Sequence, residues 1–165
     1  MTNEIYTTPD SQLDVDTSEA VTLASRWSRL FASILDGFVI MAITLPVMYV
    51  TGGFEGLSEG IQPSIGYTLS MGILGLAVFV LANGKFLLND GQTIGKKALG
   101  IKIVDLDGAL PDVKQHLVKR YAVYFIPGQI PIIGQLFSMI NILFVFGKEK
   151  RCVHDIVAGT KVVNS

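Results

Sequence analysis

At 165 residues the chain has room for one domain and little more. Half of it is hydrophobic, 16% is charged, and the mean hydropathy is +0.49; a soluble domain carries about a quarter charged residues. This balance excludes an ordinary water-soluble globule and predicts a polytopic membrane protein, while the net charge of −1 hides an acidic start and basic later segments.

Residues 1–25 contain Glu4, Asp10, Asp14, Asp16 and Glu19 and no Lys or Arg. A secretory leader needs a basic start and an early apolar core, so the first hydrophobic run is expected to be a retained anchor. Residues 1–22, rich in Thr, Ser and Asp, are expected to form a disordered acidic tail. The sole cysteine, Cys152, leaves no intrachain disulfide and is expected to be a plain thiol on a reducing face.

Trp27 to Val50 is the first predicted span, long enough for a hydrocarbon core of about 30 Å. Trp27 suits the interface, and Pro46 falls late in the helix, where a kink is possible. Arg26 and Arg29 stand at the mouth of this run and Asp36 lies inside it. Asp36 follows Arg29 by about two helical turns, roughly 10 Å, on the same face. A carboxylate at that depth faces protein or water rather than lipid. Two readings stay open: a structural charge satisfied by Arg29, Asn83 or Lys85, or a carrier of protons or cations.

Thr51 to Pro63 is a Gly-rich connector without Lys or Arg, and Ile65 to about Leu88 is the second span. Thr68, Gly72 and Gly75 permit close helix packing. The loop from Asn89 to Arg120 carries Lys96, Lys97, Lys102, Lys114, Lys119 and Arg120. The positive-inside rule makes it cytoplasmic and places the N-terminus inside. Within it, Ala98–Val104 reads as a strand, Asp107-Gly108 as a turn, and Val113 to about Ile126 as a helix.

The run over 121–146 is long enough to cross once, yet Pro127, Gly128 and Pro131 interrupt it. One crossing would leave Lys148, Lys150 and Arg151 outside, whereas a short hairpin returns them to the cytoplasm. The hairpin is the preferred reading. The tail, 147–165, then lies inside, and its last residues can pair as a strand with Gly100–Val104. The expected fold is an all-α polytopic membrane protein: two full transmembrane helices, a short membrane helical hairpin and a small cytoplasmic β element. Gln129, Gln135 and Asn141 supply polar groups to the hairpin.

Gly91-Gln92-Thr93-Ile94-Gly95-Lys96-Lys97 resembles a phosphate loop only superficially. Asp90 occupies the first Gly position and Lys97 the Ser/Thr position, so a tight turn leading into a strand is expected. His154 and Asp155 are adjacent and point apart on a helix. With His116 the only other histidine, no dedicated metal site is expected. No catalytic constellation is visible, so no enzyme activity and no cofactor are expected.

These features resemble the RDD family of membrane proteins, named for one arginine and two aspartates. Arg29-Leu30-Phe31-Ala32-Ser33-Ile34-Leu35-Asp36 matches its opening pattern, so Arg29 and Asp36 would be the arginine and the first aspartate. Asn83-Gly84 and the segment from Gly91 to Val104, with Gln92, Thr93 and Lys96, look like its second signature. Arg151-Cys152-Val153-His154-Asp155 with Ile156–Thr160 looks like its closing motif, which makes Asp155 the second aspartate. Lys85 falls outside the pattern. The resemblance covers roughly residues 24–163 and implies a multi-pass protein of the bacterial cell (inner) membrane, with both termini cytoplasmic. It implies transport of ions or small solutes only as a suggestion. Asp36 would be the central charge, Arg29 and Asp155 would complete the node, and Asn83, Lys85, Gln92, Thr93, Lys96, His154 and Asn141 would support it. The alternative is a non-transporting scaffold or regulatory subunit acting through the cytoplasmic loop and tail. The expected partners are the lipid bilayer, ions or small solutes and further copies of the chain, with no nucleic acid.

Overall fold

The computed structural model describes residues 22–130, 133–147 and 150–165. The expected acidic tail, apart from Thr22, lies outside these residues, as do Pro131 and Lys148. The described chain is mostly helical, with one two-stranded sheet.

Helix α1 (Arg26–Val50) starts where Ser25 accepts a hydrogen bond from the Ser28 amide at 2.9 Å, the usual way to satisfy a first-turn donor. Its 25 residues span about 37 Å. Helix α2 (Ile65–Asp90) is capped by Ser64 in the same way and closed by Gly91 at φ +66°, whose amide returns to the Leu87 carbonyl. Both helices are long and apolar enough to cross a membrane. Their exposure separates them from the core helices of soluble proteins: 11% of the apolar window is buried in α1 and 17% in α2. The buried residues of α1 are Arg29, Ala32 and Asp36, while Trp27, Phe31 and Phe38 face outward. A helix with charges inside and aromatics outside has the polarity expected in lipid.

After Gly91 the chain forms a short helix, α3 (Ile94–Ala98), before strand β1 (Ile101–Asp105). The expected strand over 98–104 is therefore shifted. Thr93 caps α3 by accepting from the Lys96 amide, and Gly100 at φ +61° breaks helix from strand. The expected tight turn over 91–97 likewise contains a helical turn. A Cβ on Gly91 would collide with the Ile103 carbonyl oxygen, so the end of α2 packs directly on β1. Strand β2 (Thr160–Asn164) pairs antiparallel with β1, Ile103 opposite Val162. Residues 22–24 run along the other edge of β2. The Ala24 amide reaches the Val162 carbonyl at 3.0 Å, and the Asn164 amide reaches that of Thr22 at 3.1 Å. The sheet thus grips the chain just before α1 begins.

A wide helical turn over Val113–Leu117 leads into α4 (Val118–Phe125). Phe79 of α2 packs on Tyr121 and Phe125 of α4, with ring centroids 4.8 and 5.3 Å apart. A turn at Pro127–Gln129 follows, its Gln129 side chain pressed against Gly72 of α2. Then come α5 (Ile133–Leu143) and a single turn, Phe144–Phe146. Arg26, at the start of α1, donates to the Val145 carbonyl at 3.3 Å, while Arg120, at the start of α4, approaches a carboxylate that also binds Arg29. Both ends of the α4–α5 excursion therefore adjoin the start of α1. Helix α6 (Val153–Val157) connects to β2.

Candidate functional site

Two carboxylates anchor the buried polar interior. Asp155 is fully buried near the start of α6, and its Oδ2 accepts from the Cys152 amide at 3.0 Å. The same oxygen receives Arg29 Nη2 at 2.6 Å, and Oδ1 receives Arg120 Nη1. Arg120 also donates to Thr160 Oγ1 at 2.7 Å. Arg151 donates to the Thr160 carbonyl at 3.1 Å and to the Asp155 carbonyl at 3.3 Å. One carboxylate thereby ties α1, α4, α6 and β2 together. Burial alone would raise the Asp155 carboxyl, but Arg120 and Arg29, with the Cys152 amide, outweigh it and hold it well below the usual carboxylate range.

Asp36, two turns deeper in α1, meets a different set. Thr93 Oγ1 donates to its Oδ2 at 2.5 Å and the Gly95 amide to its Oδ1 at 2.8 Å. Lys96 Nζ stands 3.8 Å from Oδ2. A Cβ on Gly95 would collide with the Ala32 carbonyl oxygen, so only glycine lets α3 press against α1 and present its amide. Burial, then the repulsion of Arg120, lowers the Lys96 ammonium to about 8.

The expectation that Arg29, Asn83 or Lys85 would satisfy Asp36 is therefore corrected. Arg29 shares a helix face with Asp36, but its guanidinium is taken by Asp155. Asn83 is fully buried and works nearby: its Oδ1 accepts the Ile94 amide at 2.7 Å and its amide donates to Phe79 O at 3.2 Å, which holds α3 onto α2. Lys85 is exposed on the other side of α2. Gln92 donates to the Ile101 carbonyl at 3.0 Å and braces the start of β1. His154 Nδ1 lies 3.0 Å from Asn141 Oδ1, an acceptor, so the ring carries its proton on Nδ1. Burial, then Arg120, pushes this imidazole down to about 3, leaving it neutral at pH 7.

Arg120, Thr160 and Tyr121 are the site residues that sequence reasoning missed. Arg120 was legible only as part of a basic loop. Its better signal is its position, immediately before an apolar run, as Arg29 is near the start of its own. Cys152, His154 and Asp155 bring potential ligand atoms within 4.8 Å of one another. They do not suit a metal ion: both Asp155 oxygens already face guanidinium groups, and burial, then Asp155, raises the Cys152 thiol to about 11.

Between the two carboxylates lies a cavity of about 230 Å³. Arg29, Asp36, Lys96, Arg120 and Asp155 line it, with apolar walls from Ile34, Ile40, Phe79, Ile142 and Val145.

Two membrane-length helices, the first tied through a buried Arg–Asp network to α4, α6 and the strand pair, are the features of a small helical membrane protein. The RDD family profile matches residues 23–159, and the chain belongs to the RDD family. Two Bacillus subtilis (strain 168) proteins are similar to it. One, named uncharacterized protein YxaI, is 28% identical over 154 residues, covering 85% of this chain and 96% of the relative. The other, uncharacterized protein YckC, is 29% identical over 142 residues, covering 84% of this chain and 83% of the relative. No solved structure matches significantly.

Proposed function

We propose that this protein is a multi-pass protein of the cell membrane that binds a small solute or ion in its buried chamber and moves it across the bilayer. The cavity between Asp36 and Asp155 carries this reading, because structural ion pairs alone need no empty space beside them. Helices α1 and α2 cross the membrane, and the α4–α5 hairpin enters and returns. Both termini and the strand pair lie in the cytoplasm, on the side of the basic loop. Asp36 is the central charge: its Thr93 and Lys96 partners belong to a separate short helix, so the contact can open without unfolding a span. Asp155, saturated by two arginines, holds the frame. Four membrane segments enclose little volume, so the working unit is an oligomer.

Solute flux into vesicles reconstituted with the wild type and with Asp36→Asn, matched for folded protein, tests this reading. We expect flux in the wild type and at least a tenfold loss in the variant. Equal flux in the two, or none from the wild type across common ions and small acids, would sink it. The scaffold reading gains from the complete satisfaction of Asp155, which is what a purely architectural node requires. It requires Asp36→Asn to change abundance alone.

A further inference from the structure

The chamber has an unbalanced charge. Arg29, Lys96 and Arg120 face it against only two carboxylates, Asp36 and Asp155. His154, the remaining basic group on its wall, is neutral. The surplus arises where two arginines share one carboxylate, and Lys96 is the cation with donors to spare. Both arginines are engaged by Asp155, whereas the ammonium of Lys96 carries three N–H donors and makes one hydrogen bond, to Thr93 Oγ1 at 3.3 Å. Its ion pair with Asp36 is long, at 3.8 Å, and the residue is 8% exposed. Leaving a buried cation with unsatisfied donors is costly.

A second polar group lacks a partner on the same wall. The Tyr121 hydroxyl is buried close to Arg120 and is the one buried side-chain polar atom without a hydrogen bond of good geometry among the described residues. Buried polar groups are nearly always paired, so such an exception calls for an explanation. Here two donors, from α3 and α4, border the same space. The rest of the lining includes hydrocarbon from Ile34, Ile40 and Ile142. The volume of about 230 Å³ exceeds that of an engineered apolar cavity of about 150 Å³ that takes up benzene.

We propose that the chamber binds a small monocarboxylate: the carboxylate sits between Lys96 and Tyr121, and a short apolar body lies against Ile34, Ile40 and Ile142. Such a ligand supplies the missing negative charge, accepts from both unused donors and fills the apolar half. A cation would add to the surplus, and a neutral amide would leave it in place. The carboxylate competes with Asp36 for Lys96, so its arrival loosens the contact between α1 and α3. This deepens the solute-binding reading above and rests on it for the existence of the site.

The test is isothermal titration of the purified full-length protein in detergent with butyrate, butylamine and butyramide. We expect saturable butyrate binding, about tenfold or more tighter than either analogue, from one charge-assisted contact. Lys96→Met should weaken butyrate binding about tenfold or more. That substitution also removes a partner of Asp36, so Tyr121→Phe is the second variant. It deletes an unpartnered hydroxyl, should leave the melting temperature unchanged, and should weaken butyrate about three- to tenfold. Dodecanoate binding tighter than butyrate would assign the carboxylate to a bilayer fatty acid, and butyrate at least as tight would assign it to a free small acid. Butylamine binding as well as butyrate, no saturable butyrate binding, or unchanged affinity in both variants would overturn the proposal. Butyrate binding without flux would defeat transport and leave this site standing. Cation flux without butyrate binding would do the reverse.

Discussion

Asp155 and Asp36 are both buried, both hydrogen-bonded and both named by the family pattern, yet they are satisfied in opposite ways. Asp155 draws full charges: two guanidinium groups close on its two oxygens, and each comes from a different helix. Asp36 draws neutral dipoles, a hydroxyl and a backbone amide, with its one cation among the described residues at 3.8 Å. The difference is one of exchangeability. Removing the charge on Asp155 would strand two buried cations. Removing it at Asp36 would leave a hydroxyl and an amide that can bond to a neutral partner equally well, and one cation, Lys96, without its paired carboxylate. The first node is built to stay shut, and the second can release.

The largest expected effect is therefore at Asp155. Asp155→Asn should cost about 3–5 kcal/mol, the range for breaking a buried pair from one side, read as loss of folded protein by denaturant unfolding in mixed micelles. A cost under about 1 kcal/mol would show that the arginines find water or lipid phosphate instead. Next is the contact that brings α3 to Asp36. Gly95→Ala places a methyl against the Ala32 carbonyl oxygen, and overpacking of this kind costs about 1–3 kcal/mol. The matching observation is protease cleavage within the 91–100 segment, faster in the variant than in the wild type. Unchanged cleavage would mean that α3 does not press on α1.

Most of the helical frame was legible in the sequence because helices of membrane length announce themselves by length and apolarity. Arg26–Val50 and Ile65–Asp90 fall within about two residues of their expected bounds. The pairing of the tail with the segment after Gly100 was legible too, since β-branched residues recur in both. The partners inside were harder. Arg29 and Asp36 share a face of one helix, and helical spacing alone cannot say that another helix brings a closer carboxylate. Asp155 is 126 positions from Arg29, a separation no local pattern encodes. Thr93 was visible as part of a signature but not as a donor to Asp36. Its direction depends on α3, a single helical turn whose cap is too short to stand out beside the Gly-rich chain around it.

A smaller effect separates the nodes by pH. The His154 imidazole is depressed to about 3 by burial and then by Arg120, against 6.5 when unfolded. A folded-state value below the unfolded one means that the unfolded chain binds the extra proton. The associated stability is therefore full above pH 6.5 and is lost as pH falls toward 3. At pH 5.5 the loss is on the order of 1 kcal/mol relative to neutral pH. Thermal melts at pH 7.5 and 5.5 should show that decline, and His154→Gln, which cannot take up the proton, should flatten it. A decline of equal size in the variant would assign the acid sensitivity elsewhere.

The smallest effect sharpens the comparison most. Asp36→Asn should cost about 1 kcal/mol at pH 7, several times less than the same change at Asp155. The asparagine oxygen can still accept the Gly95 amide, and its NH2 can donate to the Thr93 oxygen. What is lost is the attraction for Lys96. That ammonium is lowered to about 8 by burial and then Arg120, against 10.5 when unfolded. Its buried charge therefore opposes folding below pH 8, and this opposition fades as pH rises through that value toward 10.5. Above pH 8 the wild type no longer has a full ion pair to lose, so the cost of Asp36→Asn should shrink between pH 7 and pH 9, while that of Asp155→Asn stays constant because arginine keeps its proton there. Unfolding of both variants at the two pH values checks this. If the Asp36 cost held steady across that interval, the 3.8 Å contact with Lys96 would contribute nothing and the node would rest on Thr93 and Gly95 alone.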